Sequence, residues 1–528
     1  STTKLVQKVN KGGDANKVDP ANTLYALVIL NNNGKFKVAA DHDLQYESVD
    51  NVEGIMATSS FAGKKFSDFQ KLKANGGCDS FYGDDKKGIL MMNAPLYGTA
   101  ATSTTAPSGL ATLAVVTNKV KNTETAAQNE PGAEVFVERA VAKVTMDKNI
   151  AKTKLQGTEY DAAHANQVDV ELIAWGLDYT NNISYYMHNA KPVTTTIADW
   201  VTYKTNGDAA TENYRFAGTT RVKDGYGYRA YWGEDPNYAA DPKTGSTDLW
   251  GSVSNYTGKD KNFTHLGALP TLSKDFTENH PQYCMENTFN VANMNEDQTT
   301  RAIVKVKLTP NTKDADGSFY IVNNDKSKFF DLAGINTLVE QHVKACNTVA
   351  DRVIKDHVTA VVVSDIDFDY DATGTDMTVK SFKVSYDGIE VDYTVGTPGA
   401  PTAVDEVNDA LKHVTKYKEG YAYYPIRIKH FGSSKALATG GYEYGLVTWD
   451  ATKHTQTNRY DNNSDEKFLG RYGVLRNNWY DLGINSISGV GSPIVPDAPG
   501  TPDDELESFI SVRINVLSWA KRVQREDL

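Results

Sequence analysis

Phe509-Ile510-Ser511-Val512-Arg513-Ile514-Asn515-Val516-Leu517-Ser518-Trp519 is the stretch on which the fold turns. Its apolar residues recur at every second position. On an extended chain Ile510, Val512, Ile514 and Val516 point one way, and Ser511, Arg513 and Asn515 point the other. That is a β-strand with one face made for burial. Ahead of it lie Pro493, Pro496, Pro499 and Pro502, then Asp503-Asp504-Glu505. Proline holds such a spacer extended and non-helical. The strand therefore ends a tether that need not return to its own domain. Two readings stand at this point. The strand completes its own domain's sheet, or it belongs to another molecule's.

Working inward, strand signals dominate. Ile484–Val490 reads as a strand. Ala302–Leu308 alternates Val304, Val306 and Leu308 with Lys305 and Lys307, and Val358–Phe368, Thr378–Val384, Ile389–Val395 and Tyr421–Ile428 continue that block. Two helices interrupt it. Leu332, Ile335, Val339, His342, Val343 and Cys346 lie at helical spacing, so Cys346 is expected to face the core. The second is read from Ala403 to Tyr417, with Thr402 as cap, Asp405 three residues on, and Gly420 ending the segment. Earlier, Leu24–Leu30 and Lys35–Ala39 flank Asn31-Asn32-Asn33-Gly34 and read as a hairpin. Ile89–Met92, Leu110–Thr117, Val135–Val137, Ala140–Met146 and Val168–Trp175 read as further strands, with Glu138-Arg139 between two of them. From Thr180 to Pro281 the chain is aromatic, polar and glycine-rich, and reads as a large surface excursion.

The composition agrees with a β protein. The chain has 528 residues, 29 Tyr, 40 Gly and 8 Met. Tyr-rich, Met-poor chains suit sheets with one wet face. The formal net charge of −12 argues against nucleic acid and anionic membranes, because neutralising phosphate needs a basic face. No apolar run approaches the length of a membrane span. Cys78, Cys284 and Cys346 are too few for a disulfide framework or a thiolate metal site; they leave room for one bridge and read as three buried or unpaired thiols.

Candidate chemistry is thin. Asp41-His42-Asp43 reads as a solvated turn, since only Asp41 and Asp43 share a strand face. Asp365, Asp367, Asp369, Asp371 and Asp376 imitate a calcium loop. Tyr370, however, stands where such a loop needs glycine, and Ile366, Phe368 and Tyr370 alternate as a strand's other face. A polar strand face is the expectation. No HExxH, CxxC, GxSxG or phosphate-binding glycine motif occurs. No catalytic, metal or cofactor residue is assigned, and no enzyme is expected. Tyr226, Tyr228 and Tyr231 offer a second reading, a monomeric surface adhesin or glycan-binding protein, because tyrosine stacks on sugar faces.

Three segments carry a family resemblance. Gly470-Arg-Tyr-Gly-Val-Leu-Arg-Asn-Asn-Trp-Tyr480, with Ile484–Pro493 and Ile510–Trp519 after it, resembles the tail of Bacteroidales type V fimbrial shaft subunits, the fimbrilins. It is most similar to the minor-fimbria fimbrilin of the oral periodontal group. Val137–Val144 is similar to a strand motif of the family's N-terminal domain, and Tyr283-Cys-Met-Glu-Asn-Thr288 to the segment leading into its C-terminal domain. The resemblance implies two transthyretin-like β-sandwich domains with insertions and a few short helices, plus an extended C-terminal donor strand. Boundaries of 1–290, 291–496 and 497–528 follow. It also implies export as an outer-membrane lipoprotein precursor, then removal of an N-terminal strand by an Arg-specific protease. Ser1 then lies just past the cut. The groove so opened takes Ile510, Val512, Ile514 and Val516 of a neighbouring subunit. The implied partners are copies of the chain, tip and anchor subunits, and host or bacterial surface receptors. The implied location is a cell-surface fimbria.

The physics of such an assembly is favourable. Burying four side chains contributes roughly 1.5–3 kcal/mol each, and ladder bonds add about 0.5–1.5 kcal/mol apiece. A proline tether lowers the cost of ordering the tail. A head-to-tail contact generates an open fibre.

Overall fold

The computed structural model describes residues 23–32, 34–39, 44–46, 59–61, 65–82, 88–99, 108–117, 119, 121–129, 133–148, 150, 152–157, 160, 167–190, 217–222, 225–230, 233–237, 262–288, 296–346, 361–428, 472–498, 511–513, 516–517 and 521–527. The fold is mainly β, as the alternating patterns predict.

Its centre is a sandwich of two sheets. One runs Gln282–Met285, Val141–Asp147, Trp479–Ser486, Lys521–Asp527 and Ser511–Arg513 in spatial order. The other runs Asp169–Asp178, Arg301–Thr309 and Tyr421–Arg427. Alternate residues of each turn inward. Val144, Met146, Tyr480, Leu482 and Ile484 meet Val170, Leu172, Val304, Val306, Ala422 and Ile426 in one buried cluster. Each strand's period of two delivers one apolar face to the partner sheet. Strands from both sides of residue 290 share this core, and the division at 290 and 496 is a proposal.

A second layer packs two helices on one face of a sheet ordered Phe319–Val322, Val414–Tyr417, Asp376–Tyr386 and Val362–Tyr370, with Ile389–Thr394 also on Asp376–Tyr386. Ile335, Val339 and Val343 of the Leu332–Ala345 helix and Val404, Val407 and Leu411 of the Ala403–Leu411 helix cover Met377, Val379, Phe382 and Val384. Cys346 packs against the same cluster, as its spacing predicts. A third cluster gathers Phe36, Tyr46, Phe69, Phe81, Met92, Tyr186 and Met285.

Several sequence expectations need correction. The second helix ends at Leu411 and does not reach Tyr417. Lys412 takes a left-handed φ of 49°, and Val414–Tyr417 becomes a strand. The hairpin expected around residues 31–34 does not form. Ile29–Leu30 pairs with Met91–Asn93, and Phe36–Val38 pairs with Leu44–Tyr46. The side chain of Asn31 donates to the Ile89 carbonyl, which directs this end of the chain toward residue 89. The strand read at Ile484–Val490 runs instead from Trp479 to Ser486. Gly489 and Gly491 lie at φ 80° and 66°, a left-handed turn that ends it. A Cβ on Gly491 falls 2.6 Å from the Tyr424 ring. The hydroxyls of Tyr417 and Tyr424 donate to the carbonyls of Gly491 and Gly489, holding this turn on the sandwich.

Candidate functional site

The C-terminal tail and the strand that receives it form the candidate site. Lys521–Asp527 pairs parallel with Trp479–Ser486, with Tyr480 opposite Arg522 and Leu482 opposite Gln524. The apolar run of the tail folds back on this terminal strand. Ser511–Arg513 and Val516–Leu517 pair antiparallel with it, Val512 opposite Glu526 and Val516 opposite Arg522. Ile510 and Ile514 lie outside the described residues. The tail strands thus form one edge of their sheet, with Gln282–Met285 at the other.

The linker leaves the body late. Val495 and Ala498 are buried, Val495 N–H donates to the Ala268 carbonyl, and Arg301 Nη2 donates to the Pro496 carbonyl at 2.5 Å. Arg301 is itself fixed by Asp178 at 2.8 Å. The first prolines of the spacer are therefore docked on the body.

Trp479–Ser486 is held firmly on its other flank. It runs parallel to Val141–Asp147, with Lys143 opposite Trp479 and Met146 opposite Leu482. Trp479 Nε1 donates to Thr145 Oγ1, whose hydroxyl donates to Asp481, each at 2.8 Å. The Lys143 ammonium lies 3.7 Å from the Trp479 ring centroid, within cation–π range.

Behind this strand lies a buried charge network. Glu138 contacts His188 Nδ1 at 2.6 Å and Arg229 at 2.9 Å. His188 Nε2 stands 3.7 Å from Glu286, which Arg476 contacts at 3.4 Å. Burial alone raises the Glu138 carboxyl, but His188, Arg229 and Arg476 together pull it down to about 2. Nearby, burial pushes Asp235 up to about 7, although Asn237, Thr288 and Asn181 donate to it. Buried charges persist only when paired in this way. Sequence reading missed the network, since Glu138 reads as a break between two strands and its 2% exposure has no pattern signal.

The three segments behind the family resemblance converge here. Val141–Asp147 lies between Gln282–Met285 and Trp479–Ser486 in one sheet, and Glu138, Glu286 and Arg476 belong to one network. Residues 452–525 match the family described as "Major fimbrial subunit protein type IV, Fimbrillin, C-terminal". The match supports a fimbrillin-type fimbrial subunit. For such a subunit a structural role, self-association into filaments and a cell-surface location follow at that coarse level. No curated protein matches the chain. A solved structure described as a "putative cell adhesion protein" from Parabacteroides distasonis ATCC 8503 is similar at 15% identity, over 57% of this chain and 74% of that one, with a TM-score of 0.19. That likeness carries no argument about this chain.

The remaining candidates are placed as follows. Asp365, Asp367 and Asp369 lie exposed on Val362–Tyr370, where Lys380 and Lys383 pair with them at 3.1–3.9 Å. Asp371 accepts from the Thr375 and Asp376 N–H groups, closing a turn. Among the described residues no group of three His, Cys, Asp or Glu is placed to hold a metal ion. All three cysteines are free. Tyr226 and Tyr228 lie on the Gly225–Ala230 strand; Tyr231, Asp41, His42, Asp43 and Ser1 lie outside the described residues. No helix among the described residues is long and apolar enough to cross a membrane.

Proposed function

We propose that the chain is a pilin that builds a fimbrial shaft by donating its C-terminal tail to a neighbouring subunit. Ile510, Val512, Ile514 and Val516 are the donated apolar row. One observation supports this reading: the tail strands occupy one edge of the central sheet and follow a proline tether. A strand added at an edge through main-chain bonds makes the same bonds when another copy supplies it. In the single chain the tail covers an edge that is otherwise an aggregation hazard. In the filament each tail covers the next subunit's edge, and the contact propagates without closing. The protease-opened groove, the lipoprotein precursor, the division into two sandwich domains, and the tip, anchor and receptor partners belong to this proposal. So does closeness to the type V minor-fimbria group.

The test is electrophoresis of the purified chain without heating. Strand-linked filaments give SDS-resistant ladders that collapse on boiling. A single monomer band at every concentration counts against donation.

A further inference from the structure

Trp479–Ser486 is parallel to both neighbours, Val141–Asp147 and Lys521–Asp527. A parallel pair cannot be set by a tight hairpin, and a slip of one residue turns every inward side chain outward. Tyr480, Leu482 and Ile484 are fully inside, so register matters on both flanks, and an anchor outside the ladder can reinforce it.

The lead-in segment carries such an anchor. Arg476 is 2% exposed. Its guanidinium donates to the Tyr185 carbonyl at 2.8 Å, the Tyr186 carbonyl at 3.2 Å, Ser184 Oγ at 3.1 Å and Glu286 Oε1 at 3.4 Å. Its own carbonyl accepts from Arg229 at 3.1 Å and Asn478 at 2.9 Å. Asn477 follows in the left-handed region at φ 57°, donates its N–H to the Val141 carbonyl, and accepts from Arg139 Nη1 at 3.2 Å. Leu475 N–H donates to the Tyr480 hydroxyl at 2.8 Å, tying the segment to the strand it launches. The fork of one arginine thus clamps the start of Trp479–Ser486 to Ile183–Tyr185, a strand of a different sheet.

We infer that Arg476 is a positioning residue for assembly: it sets the register of Trp479–Ser486, the strand whose edge receives a tail. The assignment rests on the donation reading. Lysine cannot replace the planar fork, because it is a point charge and these acceptors diverge.

The test uses the full chain with Arg476→Lys and the charge-neutral pair Arg476→Met/Glu286→Gln, which leaves no lone buried ion. Amide hydrogen exchange is read on Trp479–Ser486, Lys521–Asp527 and the distant Leu332–Ala345 helix, alongside ladder formation. Losing charge-assisted bonds predicts exchange faster by about tenfold or more on the two strands. The helix is expected to be unchanged, the ladders weakened, and Arg476→Lys intermediate. Unchanged exchange on Trp479–Ser486, or an equal rise on the helix, overturns the assignment. If the wild-type chain forms no ladders, the donation reading fails. Selective loosening of the two strands then still upholds Arg476 as the residue that sets their register.

Discussion

Glu138 and His188 share a 2.6 Å hydrogen bond in the interior, 50 residues apart in sequence. Glu138 and the nearby buried Asp235 give stability a definite pH dependence. Glu138 sits at about 2 against an ordinary value of 4.5, so its contribution is present above 4.5 and is lost as pH falls toward 2. Asp235 sits at about 7 against 3.8, so its contribution is full below 3.8 and is lost as pH rises through 7. Urea midpoints across that range are expected to peak between the two limbs. Glu138→Gln flattens the lower limb, between about 2 and 4.5, and Asp235→Asn the upper one, between 3.8 and about 7. An unaltered profile in either variant contradicts the assignment of that limb.

Gly233 lies against the same histidine. A Cβ there would overlap His188 Nε2 and fall 3.3 Å from Glu286 Oε1. Gly233→Ala is expected to cost about 1–3 kcal/mol in denaturant unfolding, the usual range for overpacking. A change within error shows that the imidazole can retreat and that the network is looser than its distances imply.

The Ala403–Leu411 helix begins with a capping box. Asp405 accepts from the Thr402 N–H at 2.6 Å and the Gly396 N–H at 2.9 Å. Asp405→Ala is expected to cost about 0.5–2 kcal/mol. The loss belongs to the helical layer, so hydrogen exchange on that helix rises while Trp479–Ser486 is unaffected. Equal loosening of both would mean that the two cores unfold as one unit.

These elements differ in how far they could be read from sequence. The Thr402 cap and the Ile335, Val339, Val343 stripe were legible because capping and helical period are local. The strands Arg301–Thr309 and Tyr421–Arg427 were legible because period two is local as well. The end of the second helix at Lys412 was not, since Val414 fits either a helical stripe or a strand and only pairing with Phe319–Val322 decides. The buried Glu138, Glu286 and Arg476 were not legible either. Their partners lie far away in sequence, and a charged residue inside an apolar pattern reads as an interruption. Extended structure at Ser511–Arg513 and Val516–Leu517 was legible from period two, but their fold-back on Lys521–Asp527 was not. That terminal run of Lys, Arg, Gln, Glu and Asp has little strand propensity of its own.

The apolar row of the tail offers a sharper mutational test. Val512→Asp and Ile514→Asp are expected to abolish SDS-resistant ladders while leaving far-UV circular dichroism and the urea midpoint of the body nearly unchanged. Donated side chains matter to the neighbour, whereas body side chains matter to the monomer. Collapse of the monomer fold in these variants would favour a strand that serves only its own chain.

Deletion of Ser508–Leu528 tests most directly whether the tail joins subunits. Electron microscopy of the deleted chain, beside the full chain at the same concentration, is predicted to show filaments only for the full chain. Normal filaments from the deleted chain would contradict the account.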